Sequence, residues 1–301
     1  MAKSVFVLLI GNKERGETND YQLLQEETAF AEGKRLGVDV EVAFAPGFDQ
    51  LRVLRKRLHE TATRPLDAVI TEPASVATMD LILRDLTGKT GLVLLNAWGP
   101  SVEEHAGLWG SEHPFGTLST DHWKIGEIQG RQISALLPNG GNALCVTGPR
   151  RSSAAQQRLA GAQSSLRADV KLFDTEAGQW TEADGIGAFN AWYGVFKARA
   201  DVIHVVAAHN DELAMGAQNA GKALSNTAHR DMFSKARYLG VDASPRYGRK
   251  LVDSGSLTAS ITTPANTGMA IAQCDAFWKT KRAVPLRAFT EATPYPPTSA
   301  G

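Results

Sequence analysis

Residues 11–18, Gly-Asn-Lys-Glu-Arg-Gly-Glu-Thr, follow an apolar run and have the glycine spacing of a loop that binds nucleotide phosphates. Such a loop needs a lysine directly after its second glycine, where the ammonium neutralises the β- and γ-phosphates. Glu17 stands at that position and would repel phosphate, while Lys13 lies elsewhere in the loop. The sequence therefore argues against nucleotide binding, and Thr18 or Asn19 is expected to cap the helix that follows.

Metal-binding and hydrolytic motifs are also missing from the sequence. The seven histidines are dispersed, the two cysteines are Cys145 and Cys274, and no His-x3-His or Cys-x2-Cys pair occurs. No Gly-x-Ser-x-Gly elbow occurs, although a Ser-His-Asp triad with other spacing stays an alternative. We expect no metal, no organic cofactor and no enzyme activity. His113 and His122 are expected at the surface, where either could contact a ligand.

The composition of the chain argues against a nucleic-acid partner and against a membrane-spanning helix. The chain has 301 residues, of which 43% are hydrophobic, and 32 Lys and Arg balance 32 Asp and Glu. Because nucleic-acid binding needs a basic surplus, a nucleic-acid partner is not expected. No apolar run approaches the roughly 18 residues of a membrane-spanning helix. The N-terminal run lacks a following small-residue cleavage site and is interpreted as a buried strand, so any export signal of the natural protein is expected to be missing from this chain.

The elements that must position these residues alternate along the chain. Apolar runs rich in Val, Ile and Leu predict strands at 5–10, 39–45, 67–71, 91–96, 142–148, 170–175, 202–208, 236–242 and 257–262. Amphipathic segments predict helices at 20–36, 48–63, 75–87, 121–136, 153–165, 181–199, 211–224, 244–254 and 267–281. This alternation predicts an α/β fold with parallel sheets wound by right-handed crossovers.

The poorly periodic stretch 97–121 separates four predicted strands from five. It is too long for an ordinary connection, so two doubly wound lobes are expected. Ligands of such folds bind outside the carboxyl ends of the strands, which places the expected site in a cleft between the lobes.

Polar and aromatic side chains follow most of the predicted strands. Such donors, acceptors and flat rings suit a small polyhydroxylated ligand, because carboxylates, amides and guanidinium groups bind hydroxyls and an aromatic face stacks on the C–H face of a sugar ring. These residues are Asn12, Lys13, Glu72, Asn96, Trp98, Arg150, Arg151, Gln179, Trp180, Asn210, Asp211, Asp242, Thr262 and Thr263.

Several blocks resemble a known family. VVAAHNDELAMGAQNAGKAL (205–224) resembles the Asn-Asp-x-x-Ala-x-Gly segment of the type I periplasmic sugar-binding proteins, the ribose-binding-protein group, whose fold also forms the effector domain of the lactose-repressor family. YLGVDASPRYGRKLVDSGSLTASIT (238–262) resembles the Gly-x-Asp segment of that family. Further blocks at 19–42, 118–133 and 152–163 extend the resemblance over most of the chain, in the same order.

The resemblance implies a set of ligand-binding residues. Asn96 falls where ribose binders place an aspartate and Ala97 where they place an arginine, so the ligand need not be ribose, and Trp98 is expected to compensate by stacking. The loop before the first helix is longer than in ribose binders and adds Lys13, and also Glu14, as candidate contacts. The implied residues are Lys13, Tyr21, Asn96, Trp98, Arg158, Trp180, Asn210, Asp242 and Thr263.

The resemblance also implies a function. It predicts a monomeric solute-binding protein that captures a sugar or a sugar-like small molecule by hinge closure and presents it to an ABC transporter permease or a sensor protein. A periplasmic location is expected, with a cytoplasmic one as the alternative. A ligand-sensing domain of a signalling or regulatory protein, and a sugar-processing enzyme, are the other interpretations. The predicted first lobe takes residues 1–118 and 264–284, and the second takes 119–263 and 285–301.

Overall fold

A computed structural model of the protein describes residues 2–198 and 201–297, and the chain divides into two compact units. The first unit comprises Met1–Thr120 and Ala265–Thr290, and the second comprises Asp121–Pro264 and Glu291–Gly301. The chain therefore passes between the units at 120/121, at 264/265 and at 290/291. The third passage lies later than the predicted 284/285, because Arg287–Thr290 forms a strand that pairs with Phe115–Thr120 of the first unit.

The first unit contains one parallel sheet with the strand order β11-β5-β4-β3-β1-β2. Its strands are β1 (Ser4–Ile10), β2 (Asp39–Ala45), β3 (Ala68–Thr71), β4 (Gly91–Leu95), β5 (Phe115–Thr120) and β11 (Arg287–Thr290). Its helices are α1 (Asp20–Leu36), α2 (Gln50–His59), α3 (Val76–Leu86), α4 (Pro100–Trp109) and α11 (Thr267–Thr280).

Helices cover both faces of this sheet. Along β1, Val5 and Val7 belong to the core shared with α1 and α11, whereas Phe6 and Leu8 belong to the core shared with α2, α3 and α4. Since successive side chains of a strand point to opposite faces, an unbroken apolar run is what a doubly covered strand requires.

The second unit has a parallel sheet with the strand order β7-β6-β8-β9, and an antiparallel pair, β10 with β12. Its strands are β6 (Gly141–Thr147), β7 (Val170–Glu176), β8 (Ile203–Ala208), β9 (Arg237–Leu239), β10 (Ser260–Thr262) and β12 (Thr293–Tyr295). Its helices are α5 (His122–Leu136), α6 (Ser153–Ser165), α7 (Glu182–Phe196), α8 (Asp211–Lys222), α9 (Thr227–Lys235) and α10 (Gly248–Asp253). The predicted α/β class, with two doubly wound lobes, is confirmed.

The stretch 97–121 is structured, which corrects its interpretation as an aperiodic connection. It contains α4 and β5, and Trp109 at the end of α4 stacks on Phe115 with ring centroids 4.3 Å apart. Pro100, in the first turn, favours the start of α4. An N–H at that position has no partner within the helix, so a proline without one loses no hydrogen bond. The strand β5 escaped prediction because its sequence, FGTLST, lacks a β-branched apolar run.

The loop between β1 and α1 ends as predicted, at a helix cap. Asn19 accepts a hydrogen bond from the Gln22 amide at 2.9 Å, and α1 begins at Asp20. The loop closes on itself through the Asn12 and Glu17 backbones, with N···O distances of 3.3 and 2.9 Å. Within the described residues, no helix is long and apolar enough to cross a membrane.

Candidate functional site

Asn96 follows β4 in the first unit and adopts a left-handed backbone conformation, with φ 50°. Its Oδ1 accepts hydrogen bonds from the Thr120 amide at 3.3 Å and from Asn266 Nδ2 at 3.2 Å. The Thr290 hydroxyl donates to Asn266 Oδ1 at 2.8 Å. One polar network thus joins Asn96 to residues beside each of the three chain passages, and it orients the Asn96 side chain.

Glu72 supplies a carboxylate beside Asn96. It follows β3, accepts a hydrogen bond from Gln22 Nε2 at 2.7 Å, and accepts a longer one from Asn96 Nδ2 at 3.3 Å. Since β3 is the neighbour of β4 in the sheet, Glu72 brings an acidic group to the same edge of the sheet as Asn96.

Tyr21 and Lys13 lie at the start of the first unit and are each engaged by neighbours. Tyr21 is buried, with 7% of its surface exposed, and its hydroxyl accepts a hydrogen bond from Gln25 Nε2 at 2.9 Å. The Lys13 ammonium forms an ion pair with Glu26 at 2.7 Å and lies 5.2 Å from the centroid of the Phe44 ring. The Lys13 ammonium therefore already has an acidic partner within the first unit.

Trp98 is half-buried against the core that covers β3 and β4. The guanidinium carbon of Arg287 lies 4.6 Å from the centroid of its ring. A cation at this distance from an indole ring is attracted by the π electrons, and it covers part of the ring.

In the second unit, Arg158 projects from α6 and is buried, with 6% of its surface exposed. Its Nη1 donates a hydrogen bond to the carbonyl oxygen of His209, directly before α8. Its guanidinium carbon lies 5.6 Å from the centroid of the Trp180 ring. Arg158 thus joins the start of α8 to the loop that precedes α7.

Trp180 is fixed by backbone contacts on either side. Asn210 Nδ2 donates to the Trp180 carbonyl oxygen at 2.8 Å, while Asn210 Oδ1 caps α8 by accepting from the Leu213 amide at 2.8 Å. The Trp180 ring lies over Gly148 at the end of β6, where a Cβ atom would overlap the ring. Asn210 therefore has a structural role, and Gly148 makes space for the indole.

Asp242 and Thr263 lie on adjacent extended segments near β10. Asp242 has a positive φ of 102°, and its carbonyl oxygen accepts from the Thr263 amide at 3.1 Å. Asp242 is 6% exposed and Thr263 is 1% exposed. The Thr263 hydroxyl is buried and has no hydrogen-bond partner within residues 2–198 and 201–297.

His122 is buried rather than at the surface, which corrects the expectation for this residue. It is the first residue of α5, directly after the Asp121 cap, and is 3% exposed. His209 is fully buried, and its Nδ1 accepts a hydrogen bond from the Gly148 amide at 3.2 Å. Burial, followed by the positive charge of Arg158, lowers the pKa of His209 to about 3 and the pKa of His122 well below its usual range. His113, in contrast, is only partly buried.

Residues 16–274 match the model of a family described as the periplasmic binding protein domain. The chain belongs to this family. Among curated protein sequences none matches it.

Solved structures similar to this family member share its fold at low sequence identity. The fructose-binding periplasmic domain of a hybrid two-component system has a TM-score of 0.77 and 20% identity, over 97% of this chain and 90% of that one. The binding component of the arabinose ABC transporter of Shewanella sp. ANA-3, bound to L-arabinofuranose, has a TM-score of 0.76 and 20% identity, over 97% and 92%. A solute-binding protein of Actinobacillus succinogenes with bound D-allose has a TM-score of 0.77 and 19% identity, over 97% of each chain.

The predicted ligand-binding residues of this family member fall into distinct groups. In the second unit Trp180 contacts both Arg158 and Asn210, and Asp242 is paired through its backbone with Thr263. In the first unit Asn96 joins the network with Glu72, whereas Tyr21, Lys13 and Trp98 each have separate partners. Their role as ligand contacts stays a prediction.

His209 was missed by sequence reasoning. It stands between the last residue of β8 and the cap of α8, at the strand end where a ligand-facing residue is expected. That position was the available signal, although the prediction named only Asn210 and Asp211, which follow it.

Asp211 gives a prediction about pH. It is 1% exposed and accepts hydrogen bonds from Ser260 Oγ at 2.6 Å and from the Ala243 amide at 2.8 Å. Burial, and next the negative charge of Asp242, raises the pKa of Asp211 well above its usual range. A raised pKa in the folded state stabilises the fold below the unfolded pKa, near 4, and this contribution is lost as pH rises through the folded pKa.

We therefore expect the free energy of unfolding of the parent to fall relative to Asp211→Asn as pH rises from 4 to 8. The slope is at most about 1.4 kcal/mol per pH unit. Urea titrations of both proteins across this range provide the measurement. Asp39→Asn, at an exposed position, controls for the loss of one carboxylate. A difference between the parent and Asp211→Asn that does not change with pH would contradict the argument.

Proposed function

We propose that this protein binds a hydroxylated small molecule, a sugar or a close relative of one, as the solute-binding component of an ABC-type uptake system outside the cytoplasm. The observation that carries the proposal is the grouping of Trp180 with Arg158 in the second unit. A half-buried indole ring lies 5.6 Å from a buried guanidinium group there. An aromatic face for C–H groups beside a strong hydrogen-bond donor is the combination that a sugar requires.

The family and its structural neighbours support this proposal. The family is one of binding proteins, and the neighbours described above are named for fructose, arabinose and allose. Each residue has a role suited to its chemistry. Trp180, Tyr21 and Trp98 offer ring faces, Arg158 offers a charged donor, and Asp242, Asn96 and Thr263 offer oxygen or amide groups to hydroxyls. Lys13, in contrast, is paired with Glu26, and Asn210 uses both of its polar atoms within the fold.

Sensing is a second candidate function. One neighbour with a TM-score of 0.77 is the periplasmic domain of a hybrid two-component system. The binding chemistry would be the same, and only the partner protein that recognises the ligand-bound form would differ. Deletion of the gene separates the two: loss of uptake of the ligand indicates transport, whereas loss of a transcriptional response with uptake intact indicates sensing.

A thermal-shift screen tests the proposal directly. The panel contains aldoses, ketoses, polyols and sugar acids, and at least one member is expected to raise the unfolding temperature. A ligand that binds only the folded state stabilises it by about 2.7 kcal/mol at 100 times its Kd. The Arg158→Ala, Asp242→Ala double variant should abolish the shift. A shift that survives in this variant places the site elsewhere, and a panel without any shift removes support for the function.

A further inference from the structure

Gln22 has a buried amide oxygen that the fold itself does not use. The residue lies in the first turn of α1 and is 6% exposed. Its Nε2 donates a hydrogen bond to Glu72 at 2.7 Å, whereas its Oε1 is buried and has no hydrogen-bond partner in the described part of the chain. An acceptor that leaves water without gaining a new donor destabilises a fold, so this oxygen needs a reason.

Two other buried glutamines of the first unit use both polar atoms of their amides. Gln25 Oε1 accepts from the Thr267 amide at 2.9 Å, and its Nε2 donates to a tyrosine hydroxyl at 2.9 Å. Gln50 Oε1 accepts from the Ala74 amide at 2.9 Å, and its Nε2 donates to a backbone carbonyl oxygen at 2.7 Å. Gln22 therefore differs from glutamines whose role is confined to the fold.

The orientation of the Gln22 amide follows from a chain of hydrogen bonds that starts at the backbone. The Thr120 amide can only donate, so the atom of Asn96 that accepts from it at 3.3 Å is the oxygen Oδ1. Asn96 Nδ2 therefore faces Glu72 Oε1 at 3.3 Å, and the other oxygen of that carboxylate accepts from Gln22 Nε2. Turning the Gln22 amide over would place its oxygen against the carboxylate. Oε1 is thus the Gln22 atom that is left for another donor.

These side chains occur along one edge of the sheet in the first unit. The loop after β1 leads into α1 and Gln22, while Glu72 and Asn96 directly follow β3 and β4. The three strands are neighbours in the order β4-β3-β1. Because ligands of doubly wound sheets bind outside the carboxyl ends of the strands, Gln22 has its unused acceptor at the edge where a ligand is expected.

We propose that Gln22 contacts the ligand, and that its Oε1 accepts a hydrogen bond from one hydroxyl group of a sugar or polyol. The inference rests on the proposed function and adds a residue that determines specificity. An oxygen that only accepts requires a hydroxyl that donates, so a derivative without that hydroxyl leaves the acceptor unpaired. Glu72 is a positioning residue for this contact, because its carboxylate fixes which atom of the Gln22 amide is available.

Titration calorimetry with altered sugars tests the contact in the parent protein. The probes are D-fructose, L-arabinose, D-allose and D-glucose, each with its monodeoxy and monofluoro derivatives. A fluorine atom accepts weakly and cannot donate. For a sugar that binds, we therefore expect at least one hydroxyl at which either replacement weakens binding roughly 10-fold or more. If no hydroxyl shows this pattern, an ordered water rather than the ligand pairs with Oε1, and the proposal is wrong.

Gln22→Met assigns one such hydroxyl to Gln22. The thioether has a similar length and lacks the amide oxygen, so affinity for the unaltered sugar should fall roughly 10-fold. The derivatives altered at the hydroxyl that faces Oε1 should bind no more weakly than they bind the parent, since their hydrogen bond is already lost. The losses at the other hydroxyls should stay as they are in the parent.

Gln129→Met is the matched control for this substitution. Gln129 lies on α5 of the second unit and is buried, its Nε2 donates to the Ala208 carbonyl oxygen at 2.8 Å, and its buried Oε1 also has no partner among the residues described. This variant should leave the ratios between the derivatives unchanged. Urea titration of both variants checks that each still folds.

The outcomes separate this contact from the proposed function. If Gln22→Met weakens the binding of every derivative by the same factor, Gln22 only holds Glu72, and the proposal is wrong while the function stands. If none of the sugars and derivatives binds, the proposed function and the contact are both overturned. The scan of the parent protein needs no variant, so it tests the contact even where Gln22→Met does not fold.

Discussion

Replacing Gly126 by valine is expected to lower the free energy of unfolding by about 3 kcal/mol. Gly126 lies on α5 where that helix crosses α6, and a Cβ atom there would overlap the Arg158 carbonyl oxygen and lie 2.8 Å from the Ala162 amide nitrogen. The obstructing atoms are backbone, so no side-chain rotation relieves the overlap, and the two helices must separate. The expected loss of stability therefore lies at the upper end of the range for an overpacked core.

Gly187→Ala is the matched control for this substitution. Gly187 is an exposed position within α7, and no atom lies within 4 Å of the Cβ that alanine would add. Because glycine is about 1 kcal/mol less favourable than alanine inside a helix, this variant should be more stable than the parent. Urea titration of all three proteins provides the comparison. A Gly126→Val protein as stable as the parent would show that α5 and α6 can separate without loss.

Gly148→Ala is expected to weaken ligand binding about tenfold or more while leaving the fold nearly as stable. The added methyl group would overlap the Trp180 ring, which is half-buried, so the indole must shift to accommodate it. Trp180 would then leave the position in which it lies beside Arg158. Binding is measured by calorimetry with whichever panel member gives the largest thermal shift.

A double-mutant cycle shows whether Gly148 acts through the indole. Trp180→Ala alone should weaken binding at least as much as Gly148→Ala, and the double variant should bind no more weakly than Trp180→Ala. Trp123→Ala, which removes an exposed tryptophan from α5 in the same unit, is the control and should leave affinity unchanged. If Gly148→Ala weakens binding equally in both backgrounds, the glycine has a role apart from the position of Trp180.

Helices with strong end signals were predicted closely. The predicted helices at 20–36 and 153–165 coincide with α1 and α6, because Asn19 and Ser152 cap them through the side-chain bonds that such residues favour. Helix α9 and strands β5, β11 and β12 were missed. The missed strands are short or poor in β-branched apolar residues, and pairing with a neighbour makes them strands, which a local pattern does not reveal.

The sequence predicted where several candidate site residues lie along the chain, and their role as ligand contacts stays a prediction. The rule that ligands bind at the carboxyl ends of parallel strands led to Asn96, Trp180 and Asn210, all of which follow strands in the structure. The rule does not distinguish a ligand contact from a structural residue. Asn210 uses both of its polar atoms within the fold, and only the hydrogen-bond geometry shows this.

The sequence by itself determined the alternation of strands and helices, the exclusion of a phosphate-binding loop by Glu17, and the helix caps, since each depends on residues close together in the chain. The tertiary structure decided which side chains meet. His122, Arg158 and His209 are far apart in sequence, and they come together only when α5 packs on α6 and α6 reaches the start of α8. Burial and the charge of Arg158 then keep both histidines neutral, a property that no local pattern contains.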